Sequence, residues 1–163
     1  MIYRAISYLD RQLNFANASA HCDIPCKIYD PAAAQMASLT IIRMLDLLAE
    51  VDSSHLAGQA QLARLVAQKE QHVQQVKEEV RVIWGDFFKQ PQFDQVSNTH
   101  ELVHNIMLQA SKCSQGVERS EGEKLLALVN EFAQVFWLVK GIPTYTAVCP
   151  YPPSAEVVYP QLG

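Results

Sequence analysis

Residues 62–87 read LARLVAQKEQHVQQVKEEVRVIWGDF, and apolar side chains recur along this stretch at spacings of three, four or seven residues. The members of this apolar seam are Leu62, Val66, Val73, Val76, Val80, Ile83 and Phe87. Because such spacings return to one face of a helix, the seam predicts a long helix that is packed along its length. We expect this helix to end near Lys89, since Pro91 follows and proline cannot continue a helix.

Two more segments, one before this stretch and one after it, have helical periodicity. The first runs from Pro31 to about Glu50, and Asp30 ahead of it resembles an N-cap. Its apolar positions are Met36, Leu39, Ile42, Leu45 and Leu48. The second opens at Asn98, which together with Glu101 resembles a capping box. Its apolar positions are Leu102, Ile106 and Ala110.

A fourth helix is predicted to end at Gly141, ahead of Pro143. Its apolar positions are Leu125, Leu128, Val129, Phe132, Val135, Phe136 and Val139. The connections between the predicted helices are short, and no convincing strand pattern is present. The predicted fold class is therefore all-α, an antiparallel (up-down) four-helix bundle. The proline-rich tail of residues 141–163 is expected to extend over its surface.

Length and composition limit the possible partners. The chain has 163 residues, 49% of them apolar and 18% charged, which is typical of a single globular domain with a substantial core. The net charge of −4 offers no broad basic face to nucleic acid. Arg43 and Asp46 interrupt the best candidate for a membrane span. Neither nucleic acid nor a membrane is therefore expected as a partner.

Metal-binding groups are concentrated ahead of the first helix, where residues 21–26 read HCDIPC. His21, Cys22 and Cys26 place one imidazole and two thiols within six residues, and transition metals of soft or borderline character accept all three. Pro25 restricts the backbone and favours a bent loop, which we call the hook. The sequence therefore predicts a metal site on a loop that is anchored to the start of a helix.

The other two cysteines do not share this setting. Cys113 lies within a helical pattern and is expected to be an inert buried thiol, whereas Cys149 in the tail has no predicted role. A disulfide scaffold is not expected, because a chain of this size can build a core without one.

The hook and its surroundings resemble the nickel-containing superoxide dismutases. The matching pattern is His21-Cys22-Asp23-Ile24-Pro25-Cys26 followed by Tyr29-Asp30-Pro31. Later segments agree with that family in the same order, and they are Lys69-Glu70-Gln71, residues 82–89 (VIWGDFFK) with Pro91 and Phe93, and Phe136-Trp137 with Lys140. The resemblance covers about residues 21–140.

Several expectations follow from this resemblance. It implies an enzyme that converts superoxide to dioxygen and hydrogen peroxide through a Ni(II)/Ni(III) cycle. It implies that a free amine on His21, the backbone nitrogen of Cys22 and the thiolates of Cys22 and Cys26 form a planar set around nickel, with the His21 imidazole as an axial ligand. It also implies a homohexamer.

Two nearby residues are expected to support the metal site. The Tyr29 hydroxyl can reach over the open face of the metal, where it would orient superoxide or water and relay protons. Asp23 is expected to bind the amides of the hook itself. Because the substrate is an anion and the chain is negative, Lys27, Lys89 and the N-terminus of the first helix are candidates for attracting it.

Residues 1–20 are interpreted as a propeptide. They end in Ala18-Ser19-Ala20, a small-x-small pattern that peptidases favour, while Asp10-Arg11-Gln12 would break the apolar core of a secretory signal. Removal by a maturation protease would make His21 the N-terminus of a domain spanning residues 21–140, with the hook at residues 21–29 and the four-helix bundle at residues 31–140. An ordinary N-terminal arm is the alternative. We expect the protein to be cytoplasmic.

A competing motif lies at residues 100–104, which read HELVH. On a helix, His100 and His104 could bind zinc while Glu101 acts as a general base, as in zinc peptidases. No downstream residue is an evident third ligand, so histidines exposed near a helix start are the simpler interpretation. A non-catalytic helical interaction protein is the remaining alternative.

Overall fold

The computed structural model describes residues 27–163, and residues 1–26 lie outside this description. In the described part, the elements are α1 (Ala32–Glu50), α2 (Leu56–Val82), a π-helical turn (Ile83–Phe87), α3 (Gln90–Gln95), α4 (Thr99–Gln115), α5 (Arg119–Val139), β1 (Thr144–Val148) and β2 (Glu156–Pro160). The chain is mostly helical, and each of the four periodic segments corresponds to a long helix, as predicted.

The two predicted helix starts differ in how they are capped. The Asp30 carboxylate accepts a hydrogen bond from the Ala32 N–H at 2.8 Å, while Pro31 rather than Asp30 occupies the N-cap position of α1. Asn98 precedes α4, but its side chain makes no capping hydrogen bond within the described residues. The capping-box prediction is therefore wrong, although the position of the helix start is right. The buried Thr99 hydroxyl bonds instead to the carbonyl of Val96, at 2.7 Å.

The core lies between the four long helices. Helix α1 packs against α2 and α5, and α4 packs against the same two neighbours. Fully buried core positions include Ile41, Leu45, Val73, Val76, Val80, Ile106, Val129, Phe132 and Phe136. The predicted seam of α2 is buried only in its second half, because Leu62 and Val66 are each 37% exposed.

Helix α2 continues into the π turn, where Phe88 N–H bonds to the carbonyl of Ile83 at 3.3 Å. A π turn contains one residue more than an α turn, and it brings both Phe87 and Phe88 against the core. The helical run ends at Phe87, close to the predicted Lys89. Pro91 does not simply terminate it, because proline near a helix start is compatible with the short α3 that follows.

The tail contains two strands, so the prediction that the chain has no strand is wrong. Strands β1 and β2 pair antiparallel, with Thr146 opposite Val158 in the register. Val157 and Cys149 pack with Leu39 of α1 and with other apolar side chains of α1 and α5 in a second core cluster. The hairpin is therefore a docked part of the fold.

Two side-chain amides, which together we call the polar latch, attach β2 to the helices. The Gln35 side-chain amide donates to the Val158 carbonyl at 2.8 Å and to Asn130 Oδ1 at 3.0 Å. Asn130 in turn donates to the Glu156 carbonyl at 2.9 Å and accepts from the Val158 N–H at 3.2 Å. Side chains from α1 and α5 thus satisfy the outward-facing backbone groups of β2.

Replacing Asn130 with alanine is expected to lower the free energy of unfolding by about 1–3 kcal/mol, because the backbone groups of Glu156 and Val158 lose their partner. The measurement is denaturant unfolding followed by circular dichroism. Asn105→Ala, at an exposed position of α4, is the control, since it makes the same change in helix propensity. Equal effects of the two variants would contradict the latch.

Among the described helices, α1 alone is long and apolar enough to cross a membrane, with a mean hydropathy of 1.3. Arg43 and Asp46 lie within α1, but the helix is still long and apolar enough to span a membrane. The expectation that these two residues would prevent this is therefore wrong. Half of the apolar window is buried inside the protein, which accounts for its composition because α1 packs against α2 and α5.

Candidate metal centre

Four of the five predicted site residues lie outside the described residues: His21, Cys22, Asp23 and Cys26. The description begins at Lys27, directly after Cys26, and includes Tyr29. The structure therefore describes the part of the fold to which the hook is attached.

The last residues of the hook, 27–29, lead into α1 and become packed as they approach it. Lys27 has a φ of 58°, in the left-handed region, and both it and Ile28 are exposed. Tyr29 is half-buried, and its ring lies 6.0 Å from that of Phe87. Pro31 is buried at the start of α1. The chain thus passes from solvent into the core within five residues, and Tyr29 is the first packed aromatic side chain among the described residues.

Tyr29 belongs to an aromatic cluster that we define as Tyr29, Phe87, Phe136 and Trp137. The rings of Phe87 and Phe136 are 4.8 Å apart, and those of Phe136 and Trp137 are 4.9 Å apart. Phe87 lies in the π turn, and Phe136 and Trp137 lie at the end of α5. Both segments are among those that resemble the family. Phe87 packs against Tyr29, Phe136 packs against Phe87, and Trp137 packs against Phe136. Both segments therefore help to fix the position of Tyr29.

A cation lies against this aromatic cluster. Lys140 Nζ is 4.8 Å from the ring centre of Phe136, 5.4 Å from that of Trp137 and 5.7 Å from that of Phe87. Distances below about 6 Å are favourable for cation–π attraction. Lys140 is therefore a positively charged group next to the ring on which Tyr29 packs. The predicted candidate Lys89 instead donates to the Gly85 carbonyl at 2.8 Å, within the π turn.

Lys69 has a structural role that the sequence did not reveal. It is 2% exposed, and its ammonium donates to the carbonyls of Cys113, Ser114 and Gly116 at 2.7, 2.9 and 2.6 Å. These carbonyls lie at the C-terminal end of α4, where a positive charge also interacts favourably with the helix dipole. Lys69 therefore links α2 to the end of α4.

The HExxH residues do not form a zinc site in the described structure. His100 Nδ1 accepts a hydrogen bond from Trp84 Nε1 at 3.0 Å, and its ring lies 4.2 Å from that of Phe93. Across residues 27–163, no group of three His, Cys, Asp or Glu side chains gathers that could hold a metal. The two contacts give His100 a packing role at the start of α4.

Both described cysteines are buried thiols. Burial, reinforced by the negative charge of Glu121, raises the pKa of the Cys113 thiol to about 11, so this thiol stays protonated at neutral pH. The prediction of an inert Cys113 is confirmed. Cys149 donates through Sγ to the carbonyl of Tyr151 at 3.2 Å, inside the second core cluster.

The donor set of the hook fits nickel by its chemistry. Because Cys113 and Cys149 are buried, the cysteines that remain as candidate metal ligands are Cys22 and Cys26, which His21 directly precedes in the sequence. Nitrogen and thiolate donors in a planar arrangement suit Ni(II), whereas closed structural zinc sites use four side-chain ligands. The hook has three Cys or His side chains, one fewer than the four that structural zinc sites typically use.

Comparison with known proteins links this arrangement to one family. The family model for nickel-containing superoxide dismutase matches residues 16–140. The enzyme named superoxide dismutase [Ni] from Streptomyces coelicolor is 31% identical over 122 residues, which cover 75% of this chain and 89% of the relative. Its namesake from Streptomyces seoulensis is 30% identical with the same coverage.

Solved structures agree with these sequence matches. A native nickel superoxide dismutase superimposes with a TM-score of 0.68 and 30% identity, covering 74% of this chain and 99% of that chain. An apo structure of a nickel superoxide dismutase superimposes with a TM-score of 0.64 and 27% identity, over 70% and 98% of the two chains. Nearly the whole of each solved chain therefore has a counterpart here.

Proposed function

The chain belongs to the nickel-containing superoxide dismutase family, and from that premise we propose that His21, Cys22 and Cys26 hold its nickel ion. The protein is an oxidoreductase that acts on superoxide with a nickel cofactor. The observation that carries the ligand assignment is the family match itself, because it spans residues 16–140 and so includes the hook.

The donors of the hook explain how one ion can serve both halves of the reaction. When bound, nickel supplies the one-electron redox chemistry that superoxide disproportionation requires. The thiolates of Cys22 and Cys26 are strong donors that stabilise a high oxidation state, and the His21 imidazole adds a nitrogen donor. The Asp23 carboxylate accepts hydrogen bonds from amides of the hook and keeps it closed.

Tyr29 positions the substrate and helps to move protons. Its hydroxyl would orient superoxide, or a water molecule, over the open face of the site, and would help to relay the two protons that superoxide takes up with one electron to form hydrogen peroxide. The contact with Phe87 restrains the ring, and Lys140 lies on the other rings of the aromatic cluster. In a chain of net charge −4, Lys140 and the exposed Lys27 supply local positive potential for an anionic substrate.

We also propose how the chain is processed, where it acts and how its copies assemble. Helices α1, α2, α4 and α5 form an antiparallel four-helix bundle that carries the hook at its N-terminal side. The catalytic domain spans residues 21–140, after a maturation protease removes residues 1–20, and the copies assemble as a homohexamer in the cytoplasm. The zinc-peptidase alternative is disfavoured, because Trp84 and Phe93 engage His100.

N-terminal sequencing of the purified native protein, combined with metal analysis, tests this proposal. The protein should begin at His21 and contain about one nickel ion per chain, because the free amine of His21 is one of the ligands. A form that retains residues 1–20 should lack dismutase activity even when nickel is supplied. Full activity of that form, or a mature start elsewhere, would contradict the role given to the amine.

A further inference from the structure

The outer strand of the C-terminal hairpin has an open edge. At the two ends of the ladder, Gln161 N–H bonds to the Pro143 carbonyl at 2.8 Å and Cys149 N–H bonds to the Ala155 carbonyl at 2.9 Å. Because hydrogen-bonded and non-hydrogen-bonded pairs alternate in an antiparallel ladder, three residues of β1 direct their N–H and C=O groups away from β2. They are Thr144, Thr146 and Val148.

The opposite edge of the hairpin supports this register and is closed. Val158, which lies opposite Thr146, bonds to Asn130 and Gln35 through its N–H and C=O groups, so both point away from β1. Pro160 removes one further donor from the β2 edge. Within residues 27–163, no comparable partner covers the outward groups of Thr144, Thr146 and Val148.

The open strand has no feature that would keep another strand away. Its sequence, TYTAV, contains no charged residue and no proline, and Tyr145 and Val148 are 53% and 59% exposed. Natural proteins usually protect such edges with charges, proline or a covering element. In the part of the chain that the structure describes, the β2 edge is protected in this way and the β1 edge is not, which indicates a surface for strand addition.

We propose that β1 pairs antiparallel with β1 of a second copy of this chain, about a twofold axis at Thr146. Thr146 of one copy then faces Thr146 of the other, and Thr144 faces Val148, so each outward N–H and C=O group gains a partner. The two hairpins form one continuous four-stranded sheet.

A second copy suits this edge better than an unrelated strand, because the pairing is self-complementary. A twofold interface uses the same patch on both molecules. In the register centred on Thr146, the large ring of Tyr145 lies opposite the small side chain of Ala147, and no like charges meet. The hairpin begins after residue 140, where the family match ends. This interface is therefore independent of the proposed metal site.

Cysteine crosslinking in the purified, nickel-loaded protein tests the pairing directly. In a hydrogen-bonded pair the Cα atoms are about 5.5 Å apart, which a disulfide can span, so Thr146→Cys should join two copies under mild oxidation. Thr144→Cys is the matched control, because the register places its two copies about 13 Å apart. This readout does not depend on which other contacts hold the copies together.

Peptide mapping by mass spectrometry identifies the joined residues. A bond between the two introduced thiols in Thr146→Cys, with none in Thr144→Cys, supports the pairing. No bond in Thr146→Cys, equal bonding in both variants, or a bond from position 146 to a hook cysteine would overturn it. In the last case the edge would be occupied by another segment of the chain.

Charge reversal provides a second test at the same position. Thr146→Lys and Thr146→Glu each place like charges opposite one another, so each variant alone should lose the intermolecular pairing. Mixing the two variants should restore it, because unlike charges then meet. Native mass spectrometry should detect assemblies with equal numbers of the two variants in excess over a random distribution. A random distribution of the variants would contradict the proposal.

Discussion

Replacing Cys22 with serine is expected to reduce the nickel content of the processed protein from about one ion per chain to background. Dismutase activity should disappear with it. A hydroxyl is a much poorer donor than a thiolate for a late transition metal, so the proposed site would lose one of its strong donors. Metal analysis by mass spectrometry gives the nickel content, and the thiolate-to-nickel absorption band gives a readout that is independent of activity.

Two variants make this result specific. Cys26→Ser should behave like Cys22→Ser, because both thiolates are proposed ligands. His100→Ala should retain both nickel and activity, since His100 contacts Trp84 and Phe93. Bound zinc that is lost in His100→Ala would instead support the peptidase alternative. Full nickel content in Cys22→Ser would remove Cys22 from the ligand set.

Replacing Lys69 with methionine is expected to lower the free energy of unfolding by about 2–4 kcal/mol. Methionine fills a similar volume but donates no hydrogen bond, so the carbonyls of Cys113, Ser114 and Gly116 would lose their shared donor. Glu70, whose carboxylate lies 3.5 Å from the ammonium, would also lose its ion-pair partner. Denaturant unfolding monitored by circular dichroism measures the effect.

Lys77→Met is the matched control for this substitution. Lys77 lies on the same helix and makes a single hydrogen bond, to the Ser111 hydroxyl at 3.0 Å, in a less buried position. We expect its loss to cost less than about 1 kcal/mol. If the two variants were equally stable, the three carbonyl contacts of Lys69 would contribute nothing beyond an ordinary surface bond.

The helices could be predicted well from the sequence, because each periodic segment buries one face. The exception within α2 is informative. Leu62 and Val66 continue the seam by spacing, yet both are partly exposed, since neighbouring helices cover mainly the second half of α2. Periodicity identifies the face of a helix that can be buried, but the neighbouring helices decide how much of that face is buried.

The hairpin was the main error, and its signal was present. Residues 144–148 and 156–160 are rich in β-branched and aromatic side chains, which favour strands. The surrounding prolines suggested an irregular tail instead. An isolated two-stranded hairpin is only marginally stable, so these strands depend on the core cluster and the amides of Gln35 and Asn130. That support cannot be recognised from local sequence.

The sequence by itself determined the helical class and the presence of one imidazole and two thiols at His21, Cys22 and Cys26, because side-chain periodicity and residue identity are properties of short segments. Only the tertiary structure decided what Lys69 binds, where Lys140 lies and which edge of the hairpin is open. Lys69 meets a carbonyl 47 positions away, and Gln35 meets one 123 positions away. Such contacts depend on how the elements pack, and no local pattern encodes them.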